Sequence, residues 1–352
     1  MKVIHIESGL GNQMLSFCEY LAMKKMNPRD QVYIENIIYD IPECNGEICQ
    51  WNGYELDRIF NVQAPNVRSV FSNEQWISIM NEIKASEFWI RKKHNWNWPV
   101  YFTKAFQHAG LNLKNARGDF EEPTFMKMIL SSEEKSLKNK LKSSFLYEYL
   151  KSWKYRHLKE SSLNDYEKTL FYESNDDILT GQLLNFKFKR SGIERIEKEI
   201  RDAFVFPEIA DDKNKKLSKE LREKESVAIH ARRGDLLGVN HGCYVSGYFR
   251  RSVSYIKSQL SAPEFYIFCD PQSVPWAKDN ERVLGLNFRK DKIHFVDWNK
   301  GEESYRDMQM MALCKHQIIT NSSFGWWGAW LNKNPTKITC GPDYNINTTH
   351  TF

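Results

Sequence analysis

A histidine, two adjacent arginines, a glycine and an aspartate fall within six positions at His230-Ala231-Arg232-Arg233-Gly234-Asp235, directly after the apolar run Val227-Ala228-Ile229. A short run of this kind, rich in β-branched residues, predicts a buried strand. Packing gives little reason for two arginines at the C-terminal end of such a strand. Guanidinium groups stay charged and suit bidentate contact with phosphate oxygens. Gly234 frees the backbone to turn, and Asp235 is placed to hold an arginine fork. Ligands of open α/β sheets bind at the carboxyl ends of strands, so the first expectation is an anion site, above all for a diphosphate. The competing reading is a strand that ends in a solvated charged turn.

Other polar strand ends add to this. Asp270 follows a second strand-like run, Asp307 lies in a helical stretch, and Asn321-Ser322-Ser323-Phe324-Gly325 follows Gln317-Ile318-Ile319-Thr320 and opens another helix. Hydroxyls and free N–H groups at a helix N-terminus bind anions, although Ser322 and Ser323 equally suit plain helix capping. Near the N-terminus, Gly9-Leu10-Gly11-Asn12-Gln13 sits between a strand and a helix. The third glycine of a dinucleotide fingerprint is missing. Two glycines let the backbone approach a ligand, and Asn12 offers a donor and an acceptor; a tight turn with an asparagine cap explains the same residues. No Asp-x-Asp pair stands where a nucleotide-bound cation would sit, so the expected chemistry needs no metal.

The elements that must carry these residues are legible in outline. A strand at 3–6 leads into a helix from about 12 to 26, and a second strand is expected at 32–38. Residues 40–130 are irregular in pattern and hold five of the eleven tryptophans, Trp51, Trp76, Trp89, Trp96 and Trp98. These read either as core or as a sugar-stacking surface. A helix at 193–204 ends before Pro207. The polar run 210–225 leads to a second domain, where strands at 226–230, 264–269, 292–296, 317–320 and 336–340 alternate with helices at about 246–260, 303–314 and 323–331. Such alternation predicts parallel sheets, and two α/β domains facing a ligand cleft are the expected architecture. The boundaries are 1–205 and 206–352, with an enlargement of the first domain at about 50–175.

Composition sets the outer limits. A chain of 352 residues with 27% charged residues and a net charge of +5 is globular and gives no reason to invoke nucleic acid. The seven cysteines are scattered without a CxxC pair and read as thiols of a reducing compartment. The chain opens without a signal peptide and has no run of the roughly 20 apolar residues that a span needs, so a cytoplasmic location is expected. Residues 131–160 carry eight Lys or Arg against four acids, a local excess of four. This is a solvated helix face, or else a weak peripheral contact with the inner face of a bacterial membrane.

Three stretches together resemble the α-1,2-fucosyltransferases of glycosyltransferase family 11. His230–Asp235 is similar to that family's HxRRGD motif. Asp307-Met308-Gln309-Met310-Met311-Ala312-Leu313-Cys314-Lys315-His316 through Asn321-Ser322-Ser323-Phe324-Gly325-Trp326-Trp327-Gly328-Ala329-Trp330-Leu331-Asn332 resembles its long DMxLMSxCKH…NSSFSWWGAWLN block, and Gly9–Met14 its GLGNQM. The resemblance implies a GT-B fold of two Rossmann-like domains. It also implies inverting, metal-independent transfer of fucose from GDP-β-L-fucose, the donor substrate and no resident cofactor, onto a galactose-containing glycan, free or lipid-linked. By resemblance Arg232 holds the diphosphate, with His230 and Asp235 shaping its turn and Asp270 at the next strand end. Asn321, Ser322, Ser323 and Phe324 lie against the nucleotide, and Asp307 reads guanine. Gly11 and Asn12 approach the sugar phosphate from the first domain.

The chain also departs from that family. The arginine motif comes late, the segment Gly181–Phe186 replaces an aromatic one, Cys269-Asp270-Pro271 stands for Ser-Asp-Asp, and Glu7 stands where glycine is usual. Arg232, Asp235, Asn12 and Glu7 are the catalytic candidates, with Glu7 and Asp235 the candidates for general base. Two rivals stay open: a transferase with another donor or acceptor sugar, and a nucleotide- or glycan-binding protein without turnover.

Overall fold

The computed structural model describes residues 1–45, 51–90, 97–116, 118, 170–181, 191–234, 240, 242–244 and 247–342. The basic segment 131–160, Asp235 and residues 182–186 lie outside them. The chain forms two compact units, dividing between Pro207 and Glu208.

The first unit is built on a parallel sheet of β1 (Lys2–His5), β2 (Val32–Glu35), β3 (Lys114–Asn115) and β4 (Ile178–Thr180), in the order β2-β1-β4-β3. All four residues of β1 are buried. The helix Leu10–Met26 follows, burying Met14, Leu15, Cys18, Ala22 and Met23 at helical spacing. The strand expected at 32–38 stops at Glu35. The Glu35 carboxylate accepts from the Ile37 amide at 2.8 Å, which turns the chain into a 3₁₀ turn, Ile37–Asp40.

Residues 40–130 are more regular than their pattern suggests. The helix Asn73–Ala85 starts with a capping box between Ser72 and Gln75, and Pro99 opens the helix Pro99–His108. Their Ile79, Ile83, Phe102 and Phe106 pack with Val3 of β1 and Leu179 of β4 in one core. The described part of the region expected as an enlargement is therefore integral to this unit. Trp76, Trp89 and Trp98 are partly buried against the same core, whereas Trp51 is exposed; Trp96 lies outside the described residues. The helix expected at 193–204 is a 3₁₀ turn, Ile193–Ile196, continued by the helix Glu197–Ala203.

The second unit holds β5 (Ser226–Ala231), β6 (Glu264–Cys269), β7 (Lys292–Val296), β8 (His316–Ile319) and β9 (Thr339–Cys340), all parallel, in the order β7-β6-β5-β8-β9. The polar run before β5 forms the helix Asp212–Glu223, capped by Asp211. Helices Tyr248–Gln259, Tyr305–Leu313 and Ser323–Trp330 alternate with the strands. The last strand is shorter than the expected 336–340. The Thr336 amide donates to Asn334 and the Ile338 amide to the His316 ring, so those groups leave the ladder.

From β5 the chain steps one way, to β6 and β7, and it later returns on the other side with β8 and β9. The carboxyl ends of β5 and β8 therefore flank a topological switch point, where α/β sheets bind their ligands. Among the described residues no helix is long and apolar enough to cross a membrane.

Candidate active site

The turn after β5 is fixed by residues from three other segments. The Thr320 hydroxyl, just past β8, donates to the His230 carbonyl and accepts from the Arg232 amide, both at 3.1 Å. Asn240 donates to the Arg232 carbonyl at 3.1 Å and accepts from the Asn321 amide at 2.7 Å. Asp270, buried after β6, pairs through Oδ1 with the Arg232 guanidinium, while its Oδ2 accepts from the Arg233 amide at 3.0 Å. A Cβ at Gly234 would stand 3.1 Å from that carboxylate, a tight approach. Asp270 thus holds the Arg232 guanidinium, while Asp235, expected to do so, lies outside the described residues. Both carboxylate oxygens of Asp270 are engaged with the arginine turn.

The two arginines part company. The Arg232 side chain is 17% exposed beside Asp270. The Arg233 guanidinium lies 3.8 Å over the Trp276 ring and 5.0 Å from that of Tyr244, a cation–π setting that fixes the turn. The pair is thus one partly exposed arginine held by a carboxylate and one arginine packed on aromatic rings.

His230, Asn321 and the helix Ser323–Trp330 complete this corner. His230 is buried, and its pKa falls to about 3, first from burial and then from the Arg232 charge. It is therefore a neutral imidazole. Its Nδ1 and both side-chain polar atoms of Asn321 are buried without a hydrogen-bond partner among the described residues. Such groups are costly unless a ligand or water satisfies them. The Phe324 ring stands 5.9 Å from the imidazole, and a Cβ at Gly325 would collide with Nδ1, so Gly325 lets the helix start come this close. Ser322 is the N-cap residue, but its side chain makes no cap bond. The positive end of the helix dipole thus lies beside His230, at the carboxyl end of β5. Trp327 is fully buried, and a Cβ at Gly328 would come within 2.8 Å of Met311. The Trp-Trp-Gly run is therefore the helix's anchor.

Asp307 sits in the first turn of the helix Tyr305–Leu313, at the same edge of the sheet. Its Oδ1 accepts from Asn299 at 2.7 Å. Burial raises its pKa to about 7; the Asn299 bond opposes this and the Asp297 charge adds to it.

In the first unit the turn after β1 is held just as firmly. Gln13, buried, donates to the carbonyls of Ser8 at 2.9 Å and Gly53 at 2.8 Å and accepts from the Glu55 amide at 2.8 Å. Gly11 is buried and Asn12 half-buried in the first turn of the helix, whose N-cap is Gly9 and not Asn12. Glu7 is buried, and its Oε2 accepts from Trp98 Nε1 and lies 3.2 Å from His5 Nε2. His5 Nδ1 meets Glu35 at 2.8 Å. Burial pushes the His5 pKa down, but the charge and hydrogen bond of Glu35, and those of Glu7, outweigh it and raise the value to about 9. Glu7 is thus the partner of a buried imidazolium.

That pairing has a pH signature. A folded-state pKa above the unfolded value of about 6.5 means the stabilisation is complete below about pH 6.5 and lost as pH rises through 9. A shift of this size corresponds to about 3 kcal/mol. Urea unfolding of the unaltered protein should show that decline between pH 6.5 and 9.5, and His5→Asn should remove the slope. A flat profile in the unaltered protein contradicts the charged assignment.

The structure therefore brings together His230, Arg232, Asp270, Asn321, Ser322, Ser323, Phe324 and Asp307 at one edge of the second unit's sheet, and Glu7, Gly11 and Asn12 at one turn of the first. Sequence reasoning missed Thr320 and Asn240. Thr320 ends β8 next to Asn321, a position that signals a role; Asn240 carries no local signal. Among the described residues one trio has the geometry to hold a metal ion, Glu220, Glu264 and His294. Glu264 opens β6, at the opposite end from Asp270, and pairs with Lys292 at 3.0 Å and Lys224 at 3.7 Å, so this trio reads as a surface ion network.

Residues 91–345 match the model of Glycosyl transferase family 11. The chain is 35% identical over 133 residues to the alpha-1,2-colitosyltransferase of Escherichia coli, covering 36% of this chain and 43% of that protein. It is 30% identical over 122 residues to the O-antigen biosynthesis glycosyltransferase WbnK of Escherichia coli, covering 33% and 38%. To galactoside alpha-(1,2)-fucosyltransferase 1 of Saimiri sciureus it is 23% identical over 184 residues, 49% and 48%. The chain spans less than half the length of each of these relatives.

Proposed function

Since the chain belongs to glycosyl transferase family 11, we propose that it is a two-domain GT-B enzyme that moves L-fucose from GDP-β-L-fucose to a galactoside hydroxyl with inversion, forming an α-1,2 link. The observation that carries this reading is the switch-point corner of the second unit. There an arginine held by Asp270, a helix N-terminus and the unsatisfied polar atoms of His230 and Asn321 converge. The bond from C1 of fucose to the β-phosphate oxygen breaks through an oxocarbenium-like transition state, and negative charge builds on the leaving diphosphate. His230 is neutral, so Arg232 and the first-turn amides of the helix Ser323–Trp330 stabilise that charge. The acceptor oxygen attacks C1, and its proton passes to a carboxylate, for which Glu7 and Asp235 are the candidates. Asp307 accepts from N1–H and the 2-amino group of guanine.

The similarity to a colitosyltransferase favours a second reading for the donor alone: another deoxy sugar on the same nucleotide. One assay separates these. GDP release from GDP-fucose is measured against a panel of galactosides, with GDP-colitose in parallel. GDP binding without turnover of either donor would leave a binding protein, and turnover of GDP-colitose alone would move the assignment to the second reading. Because charge stabilisation rests on Arg232 and helix amides, activity should survive excess EDTA; full loss on chelation, restored by Mg²⁺ or Mn²⁺, contradicts this mechanism.

A further inference from the structure

Trp51 stands apart from the other described tryptophans of its region. Trp76, Trp89 and Trp98 pack into the core of the first unit, whereas Trp51 is 49% exposed. Its backbone is left-handed, at φ 54°, a conformation that a bulky residue adopts only under constraint. The constraint is visible. Gln13 ties Gly53 and Glu55 to the Ser8–Gln13 turn, and Tyr39 donates to the Ser8 carbonyl at 2.6 Å. The indole lies over Gly9: a Cβ there would stand 2.7 Å from Trp51 Cδ1 and 3.2 Å from Nε1. Gly9 itself has extended backbone, φ −77° and ψ 171°, which any residue adopts. Glycine at this position is thus explained by the indole and not by torsion.

The place matters as much as the ring. The turn leaves the carboxyl end of β1, and β1 lies at its own sheet's switch point, with β2 on one side and β4 and β3 on the other. Asn12, half-buried, stands in the first helical turn after Gly9, so a side chain able to bond hydroxyls follows the turn that the exposed indole covers. Pyranose rings with a continuous C–H face, galactose above all, pack that face on aromatic rings while their hydroxyls turn outward to polar groups.

We propose that Trp51, seated on Gly9, is the stacking platform of an acceptor subsite that takes the C–H face of a galactopyranose ring. This rests on the transferase reading above and adds the residue that holds the acceptor. Trp51→Ala should raise the KM for the galactoside on the order of tenfold, the size of a lost aromatic contact of about 1.4 kcal/mol, with GDP affinity as the control. Trp51→Phe should restore most of the loss, which a merely structural role does not demand. Gly9→Ala should mimic Trp51→Ala by displacing the indole, and in the Trp51→Ala background it should add nothing.

Calorimetric titration of the GDP-loaded protein with a galactoside that serves as acceptor, or with galactose-terminated oligosaccharides if none does, reads the platform without turnover. Loss of that binding in Trp51→Ala, in a protein with unchanged melting temperature, supports the proposal. Unchanged galactoside binding and KM in Trp51→Ala overturn it. So does a Gly9→Ala effect that persists undiminished in the double variant, since Gly9 would then serve backbone approach to the donor. So too does failure of the unaltered protein to bind any galactoside. If galactosides bind through Trp51 but no donor turns over, the transferase reading fails and the platform stands.

Discussion

Arg232→Ala is expected to lower kcat by on the order of 10²-fold or more in a protein that still folds. The size follows from how little else in the described corner carries positive charge. His230 is neutral at any working pH because burial and Arg232 itself hold its pKa near 3. The Arg233 guanidinium is committed to the Trp276 and Tyr244 rings. Removing Arg232 leaves the helix N-terminus alone against the charge that builds on the diphosphate. Arg232→Lys should recover only part of the rate. A lysine keeps the charge but loses the planar fork that meets Asp270 and a phosphate together. Both variants leave Asp270 buried without its full partner, so a drop in stability of a few kcal/mol is expected, and melting curves must accompany the kinetics. Near-normal turnover in a folded Arg232→Ala protein would sink the assignment.

The next largest effect is on nucleotide selection. GDP should bind far better than UDP or ADP, and Asp307→Asn should cost GDP roughly 1.5–3 kcal/mol, the worth of a hydrogen bond to a charged group, while leaving UDP nearly unchanged. The raised pKa of Asp307, about 7 and caused chiefly by burial, adds a pH test whose sign is fixed. Guanine offers two N–H donors and therefore binds the ionised carboxylate. Affinity for GDP should be on a plateau above pH 7 and fall by up to about tenfold per unit below it. UDP carries the same phosphates and serves as the control for their own titration, so the ratio of the two affinities isolates Asp307. Equal binding of GDP, UDP and ADP by the unaltered protein, or a ratio that does not move with pH, refutes the guanine role.

Much of this was decided by short-range sequence alone. Val227–Ile229, Phe265–Phe268 and Ile318–Ile319 are apolar runs bounded by turn residues, and such runs become buried parallel strands wherever they lie in the sheet. The arginines after β5 and the serines after β8 are polar groups at strand ends, a position fixed by chain direction. The long block from Asp307 to Asn332 is specific enough to point to the family by itself. Where local pattern failed, a side chain had overruled the backbone's preference. The Glu35 carboxylate turned β2 early, and Asn334 and His316 took the amides that β9 needed.

The tertiary structure decided the pairings, because strand order is set by non-local contacts that no stretch of sequence encodes by itself. Only the arrangement β7-β6-β5-β8-β9 puts Asp270 beside Arg232, Thr320 between His230 and Arg232, and Asn240 against Asn321. It separated two arginines that look equivalent in the chain. It turned Glu7 from a lone acid into the partner of a charged His5, since His5, Glu7 and Glu35 meet only when β1 and β2 pair in register. It also sorted the described tryptophans of residues 40–130, packing three against the core and leaving Trp51 exposed over Gly9. Burial is a property of the packed layers, and tryptophan's dual character makes it equally at home in a core and on a binding face.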